Sequence, residues 1–285
     1  MTKAGILLGC AIAALMPIAA SAQTVGVNAA VVNDVRMTSD ANRTVHKAVV
    51  RERVSLGNDI VTGGASRLQV LLLDKTNFTV GPNARIKVDR FVYDPDRKAS
   101  SVGLSIAKGA FRFMSGKPTH ANPGQSAIRT PVASIGIRGT IVEGVVGPEA
   151  IRIARAQSGL PRFKADPSLA TLILLRGPGP AAQGGELPGA IDVAAGGTTV
   201  SVDRPGLALF VPGPDEAPIG PFPLSDWGSA FLASLLGTPG LGLGSPAFEL
   251  MPPANPLNDL IYLDELCTKV AGPGGPVAGG GPGCG

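Results

Sequence analysis

The stretch "IRTPVASIGIRGT", residues 128–140, decides the fold class. Pro131 has no N–H to give to a central sheet ladder, so Thr130-Pro131 predicts a strand start or an edge. Ile135 and Ile137, two residues apart, fall on one side of an extended chain. Gly139 after Arg138 suits a bulge or a close backbone approach, and Ile141 to Val146 continue as a second strand. Strand, bulge and strand account for every residue type in the stretch, including Thr140 at its end.

The same period of two runs N-terminally from it. "SRLQVLLLDKTNFTV" sets Leu68, Val70 and Leu72 on one face and resumes with Phe78 and Val80 after a polar turn, the pattern of a hairpin. Ile86 and Val88 repeat it, as do Val102, Leu104 and Ile106, followed by Phe111 and Phe113. Turn residues separate the runs: Gly57-Asn58-Asp59, Gly63-Gly64, Gly81-Pro82-Asn83, Asp94-Pro95-Asp96 and Ser115-Gly116. Residues 147–180 are ambiguous, since "EAIRIARAQSG" fits an irregular strand or a short helix. Alternation returns with "ATLILLRG", Ile191 and Val193, Val200 and Val202, and Leu207 to Val211.

These readings predict a mainly β chain: an antiparallel sandwich, roll or solenoid-like stack of short strands, with one or two short C-terminal helices and a Gly/Pro-rich tail. The expected organisation is a signal peptide at 1–22, an N-terminal segment at 23–44, a β-domain at 45–211 and a Pro/Gly-rich region at 212–285. In that last region Ser225 can cap a helix that runs to Leu236 and stops at Gly237, with Trp227, Phe231 and Leu235 along one stripe. A second helix can run from Leu257 to Val270 after Pro256. Neither is long enough to be stable alone, so each must dock on the β-domain or on a partner. The final "AGPGGPVAGGGPGCG" reads as a flexible tail.

Composition bounds the function. The 285 residues are 44% hydrophobic, enough for a sizeable core, while the 39 Gly and 26 Pro concentrate after residue 212. The net charge of +4 comes from dispersed Lys and Arg with few aromatics between them, which argues against nucleic-acid binding. "MTKAGILLGCAIAALMPIAASAQ" has a basic start, an apolar middle and the small-x-small exit Ala20-Ser21-Ala22, so export with cleavage between Ala22 and Gln23 is expected. A lipoprotein acceptor at Cys10 and an uncleaved anchor are the alternatives to that reading. No later run is apolar for the ~20 residues a membrane helix needs, so the mature chain is expected to lack a span and to be periplasmic or secreted. Without Cys10, Cys267 and Cys284 remain; an oxidising compartment would let them pair, or they stand as separate thiols.

Along residues 57–146, "GNDIVTGGASRLQVLLLDKTNFTVGPNARIKV", "LSIAKGAFRF" and "IRTPVASIGIRGTIVEGVV" follow one another in the order and spacing of the FecR-type extracytoplasmic domain, which this chain resembles. Thr130, Pro131, Arg138, Gly139 and Thr140 belong to its most recognisable run. The resemblance implies a β fold and a part in a relay: a cytoplasmic anti-sigma segment, one membrane helix, and this domain contacting an outer-membrane receptor. Here only the signal peptide and a short segment precede the domain, so the chain is expected not to carry a signal inward by itself and to be a stand-alone exported member. Lys75 stands where the family usually has Gly in an Asp-Gly-Ser/Thr turn, which questions the turn type.

Catalytic constellations are missing. His46 and His120 lie far apart in sequence and in no metal-ligand spacing, and no nucleophile elbow or phosphate loop occurs. Asp94 and Asp96 fit turn chemistry, and Asp215 and Glu216 fit a solvated loop. Arg138 is expected to pair with Glu143 or a backbone carbonyl beside the bulge. No catalytic, cofactor-binding or metal residue, and no cofactor, is therefore expected. The reading is a non-enzymatic module that binds an envelope or secreted protein. The alternatives are a signalling element acting with a separate membrane-spanning anti-sigma regulator, and an envelope hydrolase.

Overall fold

The computed structural model describes residues 23–38, 44–96, 99–116, 126–177 and 189–237. Its strands are β1 (Thr24–Val32), β2 (Val35–Thr38), β3 (Val45–Lys47), β4 (Arg53–Ser55), β5 (Asp59–Thr62), β6 (Arg67–Leu72), β7 (Asn77–Val80), β8 (Arg85–Asp94) and β9 (Ala99–Met114). There follow β10 (Ser126–Arg129), β11 (Ser134–Arg138), β12 (Ile141–Val146), β13 (Thr171–Gly177), β14 (Ala190–Ala195), β15 (Thr198–Val202), β16 (Leu207–Val211) and β17 (Ile219–Pro223). The two helices are α1 (Pro148–Arg155) and α2 (Asp226–Leu235). The second candidate helix, Leu257 to Val270, lies outside the described residues.

The strands form two sheets around one core. The first runs β4-β1-β6-β7-β9-β12-β13-β16-β17 and the second β3-β2-β5-β8-β9-β10-β11-β14-β15. Between them pack the residues that the alternation put on one face: Leu68, Val70 and Leu72, Phe78 and Val80, Ile86 and Val88, Val102 to Ile106, Ile135 and Ile137. Residues before Val45 contribute β1 and β2, which pair with β6 and β5.

β9 belongs to both sheets, pairing with β8 up to Lys108 and with β12 from Gly109 onward. Gly109, at φ +87°, is where it turns from one to the other. The turn also shifts the inward positions from even numbers (Val102, Leu104, Ile106) to odd (Phe111, Phe113). β10 then lies parallel to the first half of β9, with Ala127 opposite Gly103. The other described pairings are antiparallel, and a parallel neighbour needs a longer connection than a hairpin turn.

A second apolar cluster lies on the outer face of the first sheet. β13 is buried on both sides: Ile173 and Leu175 face the central core, while Leu172 and Leu174 face the helices. This explains "LILL", a continuous apolar run rather than an alternating one. α1 resolves the ambiguous region, starting with Pro148 in its first turn and burying Ala150, Ile151, Ile153 and Ala154. In α2, Ser225 Oγ accepts the Gly228 N–H at 3.2 Å, and Gly237 follows at φ +71°. Its buried side differs from the expected stripe: Leu232 is fully buried while Trp227 is 45% exposed. Trp227 instead stacks on Phe231, with ring centroids 5.2 Å apart.

The β6–β7 turn settles the question raised at Lys75. Its φ is +68°, so the turn keeps the left-handed position that glycine would occupy. Asp74 is fully buried below it, and its carboxylate accepts from the Thr76 N–H and hydroxyl, each at 2.9 Å, and from the Ser100 hydroxyl. Lys75→Gly removes the left-handed cost of ~1–2 kcal/mol and returns part of it as unfolded-chain entropy. A net gain of about 0.5–1 kcal/mol is expected in urea denaturation; a loss would show that the lysine side chain supports the turn.

Candidate functional site

The opening stretch spans the end of β10 and all of β11 in the second sheet and stops one residue short of β12 in the first. Ile128 belongs to β10, Ile135 and Ile137 to β11, and Ile141 starts β12. Thr130 and Pro131 occupy the hairpin turn between β10 and β11, not a strand start or edge. The Thr130 N–H donates to the Ala133 carbonyl at 2.8 Å, and Thr130 Oγ1 accepts the Ala133 N–H at 3.1 Å. The side-chain oxygen thus satisfies the Ala133 N–H inside the turn.

Gly139 is likewise not a bulge. At φ +58° it is the corner where the chain leaves the second sheet after β11 and enters the first at β12. Thr140 fastens the corner: its hydroxyl donates to the Gly177 carbonyl at 3.0 Å, its N–H donates to Ser115 Oγ at 3.2 Å, and its own carbonyl accepts from Ser115. A bulge would have kept both strands in one sheet. Local sequence cannot separate the two cases, because both ask for glycine.

Arg138 pairs with Asp192 on β14, Nη2 to Oδ1 at 3.0 Å, and not with Glu143. Sheet geometry is the reason: Arg138 and Asp192 lie on adjacent strands of the second sheet, whereas Glu143 faces outward from the first. Glu143 is 1% exposed and held from both flanking strands, by Arg112 Nε at 2.7 Å and Arg176 Nε at 3.0 Å. Asp192 Oδ1 also accepts the Ser201 hydroxyl. The motif arginine is thus linked across β14 to β15, the last strand of the sheet. Asp192 and Ser201 carry no sequence signal of their own, being single polar residues in alternating strands.

The sheet ends differ in how they meet solvent. β3 and β4 are each three residues long, and β17 carries Pro221 and Pro223. Short strands and prolines are the usual protections of an edge. β15, "TTVSV", has five residues and neither proline nor charge, and Thr198, Thr199 and Ser201 are exposed. Among the described residues, no backbone hydrogen bond reaches its outer side. Toward the described residues, the main-chain N–H and C=O groups on that side are unpaired.

On the outer face of the same sheet, Arg129, Thr130 and Pro131 border a shallow groove of about 330 Å³ with Asp59, Arg85 and Lys87. Asp59 hydrogen-bonds to Arg85 and holds its guanidinium above the ordinary arginine value. Among the described residues no three His, Cys, Asp or Glu side chains gather where they could hold a metal ion. His46 Nε2 contacts the Glu52 carboxylate. His120, Ala22, Cys267 and Cys284 lie outside the described residues, while Gln23 is the first of them. No helix among the described residues is long and apolar enough to cross a membrane.

Comparison with known proteins gives three findings. No curated protein matches the chain. Two crystal structures of a "putative anti-sigma factor" from Parabacteroides distasonis ATCC 8503 align with it. One does so at 12% identity and TM-score 0.37, covering 61% of this chain and 64% of that one. The other does so at 11% identity and TM-score 0.38, covering 61% and 63%. The chain thus spans less than two thirds of the length of either. Residues 58–154, from the turn before β5 into the last turn of α1, match the family described as FecR protein.

Proposed function

We propose that this chain is an exported, non-enzymatic binding module of the cell envelope, and that it holds an extended segment of another protein along β15. The FecR match supports a signalling or regulatory role that works through contact with other proteins. The observation that carries the finer reading is the outer side of β15, which no described residue pairs and which lies one strand, β14, away from the motif-bearing β11. An extended partner segment satisfies such an edge by adding a strand, with main-chain hydrogen bonds supplying affinity. Thr, Val and Ser along β15 present no charge that a neighbouring strand would have to neutralise. Export rests on the basic, apolar and small-residue order of residues 1–22. The same edge would serve a membrane-spanning regulator on a separate chain, and the identity of the captured partner distinguishes that case.

The test is capture from envelope and medium fractions with the chain from Gln23, comparing wild type with Thr199→Lys/Ser201→Lys. Lysines on an edge strand discourage strand addition. A partner retained by wild type and reduced at least tenfold by the double variant, with the melting temperature within a few degrees, is the expected result. A partner held equally by both variants would remove β15 from the function.

A further inference from the structure

A cleft of about 730 Å³ opens between the rim of the sandwich and the two helices, away from β15. Its volume lies in the range of small-molecule sites, ~300–1,000 Å³. The β9 corner supplies Lys108 and Ala110, α1 supplies Glu149 and Arg152, and α2 supplies Phe231 and Leu235. The apolar part of the lining includes Ala110, Val145, Val146, Phe231 and Leu235, of which Ala110 is packed under the helices. The charged part is unequal. Arg152 Nη1 lies 3.6 Å from Glu149 Oε2, an ion pair beyond hydrogen-bond distance that leaves this buried oxygen without a hydrogen-bond partner among the described residues, and its guanidinium rests 4.5 Å from the Phe231 ring centroid. Lys108 is exposed and makes no ion pair with any described residue. Two cations and one carboxylate thus line the cleft, which combines an apolar wall with a net positive charge.

We infer that this cleft binds a single-chain apolar carboxylate, its hydrocarbon against Phe231 and Leu235 and its carboxylate on Lys108. Charge selects the class: an amine would meet Lys108 as a like charge, and a neutral alcohol would leave the ammonium without a counter-ion. Because the residues that match FecR include Lys108, Glu149 and Arg152 while α2 lies beyond them, the ligand would bridge the matched region to the C-terminal helix. Occupancy would stabilise the docked α2 by mass action.

The test titrates decanoate, below its micellar concentration, into the chain from Gln23 by calorimetry, with decanol and decylamine as charge controls. Anionic lipid vesicles form a separate arm. Two variants address the two parts of the site. Lys108→Glu reverses the charge. Gly64→Trp places a ring at the mouth, where an added Cβ meets Asn83 at an ordinary 3.6 Å. One decanoate per chain is expected, with affinity at least tenfold weaker in K108E and in G64W and both variants melting like wild type. The inference is overturned by no saturable decanoate binding, by decanol or decylamine binding as tightly, by binding indifferent to both variants, or by binding to vesicles alone. None of these results bears on capture at β15.

Discussion

Gly109→Ala is expected to destabilise the fold by about 3 kcal/mol, summing ~1–2 kcal/mol for a left-handed alanine and ~1–3 for overpacking. Gly109 sits at φ +87°, and a Cβ there would lie 2.4 Å from both Cα and Cβ of Ala84. Backbone is involved on both sides, so no rotamer change relieves the contact, and β9 would have to give up its passage between the sheets. For a domain of this size the loss corresponds to about 6–12 °C in Tm. Gly197→Ala is the control: its φ is +72° with nothing within 4 Å of an added Cβ, so it bears only the conformational cost. Ala84→Gly in the G109A background should recover part of the difference. Equal melting of G109A and G197A would mean that close approach at Ala84 does not hold the corner.

The second large effect belongs to Glu143. Its carboxylate is buried on the outer face of the first sheet, between Arg112 and Arg176, whose side chains are 17% and 25% exposed. Strand order creates the group, since β9, β12 and β13 are neighbours and Glu143 stands directly opposite Arg112. Glu143→Leu leaves two guanidiniums facing each other with no counter-charge and is expected to cost about 3–5 kcal/mol. Replacing all three together, Arg112→Met, Glu143→Leu and Arg176→Met, is expected to be neutral within ~1 kcal/mol or stabilising, because the desolvation of three charges disappears along with their attraction. Urea denaturation of the single and triple variants measures both. A single-variant loss below about 1 kcal/mol would show that water already screens the group as at an exposed surface pair.

Much of the fold was legible because its signal is local. Leu68, Val70 and Leu72 recur every second residue, with the polar Arg67 and Gln69 between the first of them, and that suffices for a strand with one buried face. Ser225 and Gly237 bracket α2 for equally local reasons, a hydroxyl for an orphan N–H and a residue without Cβ for a left-handed stop. The α2 stripe was misjudged because packing, not helical spacing, chose the side: Leu232 faces β-sheet side chains, and Trp227 is left to stack on Phe231. "EAIRIARAQSG" stayed ambiguous since eight helical residues give two turns of pattern at most.

The candidate site was legible only in part. The motif marked the right strands, yet Thr130-Pro131 proved to be a hairpin turn and Gly139 a corner between sheets. Arg138 was visible as the one charged side chain of the run from Thr130 to Thr140. Its partner, Asp192, lies 54 positions away on a strand paired with β11, and no spacing rule reaches that far. The cleft is still less visible, since Lys108, Arg152 and Phe231 come from three separate elements.

From the sequence by itself follow the β class, the turns, the cap of α2 and the absence of familiar catalytic spacings, because each depends on residues within a few positions of one another. Only the tertiary structure decides which sheet each strand joins, that β9 crosses between them at Gly109, that Glu143 rather than Arg138 lies in a buried charge cluster, and that no described residue pairs with the outer side of β15. Those outcomes depend on pairing between distant segments. A period of two says which face of a strand is buried and nothing about which strand lies beside it.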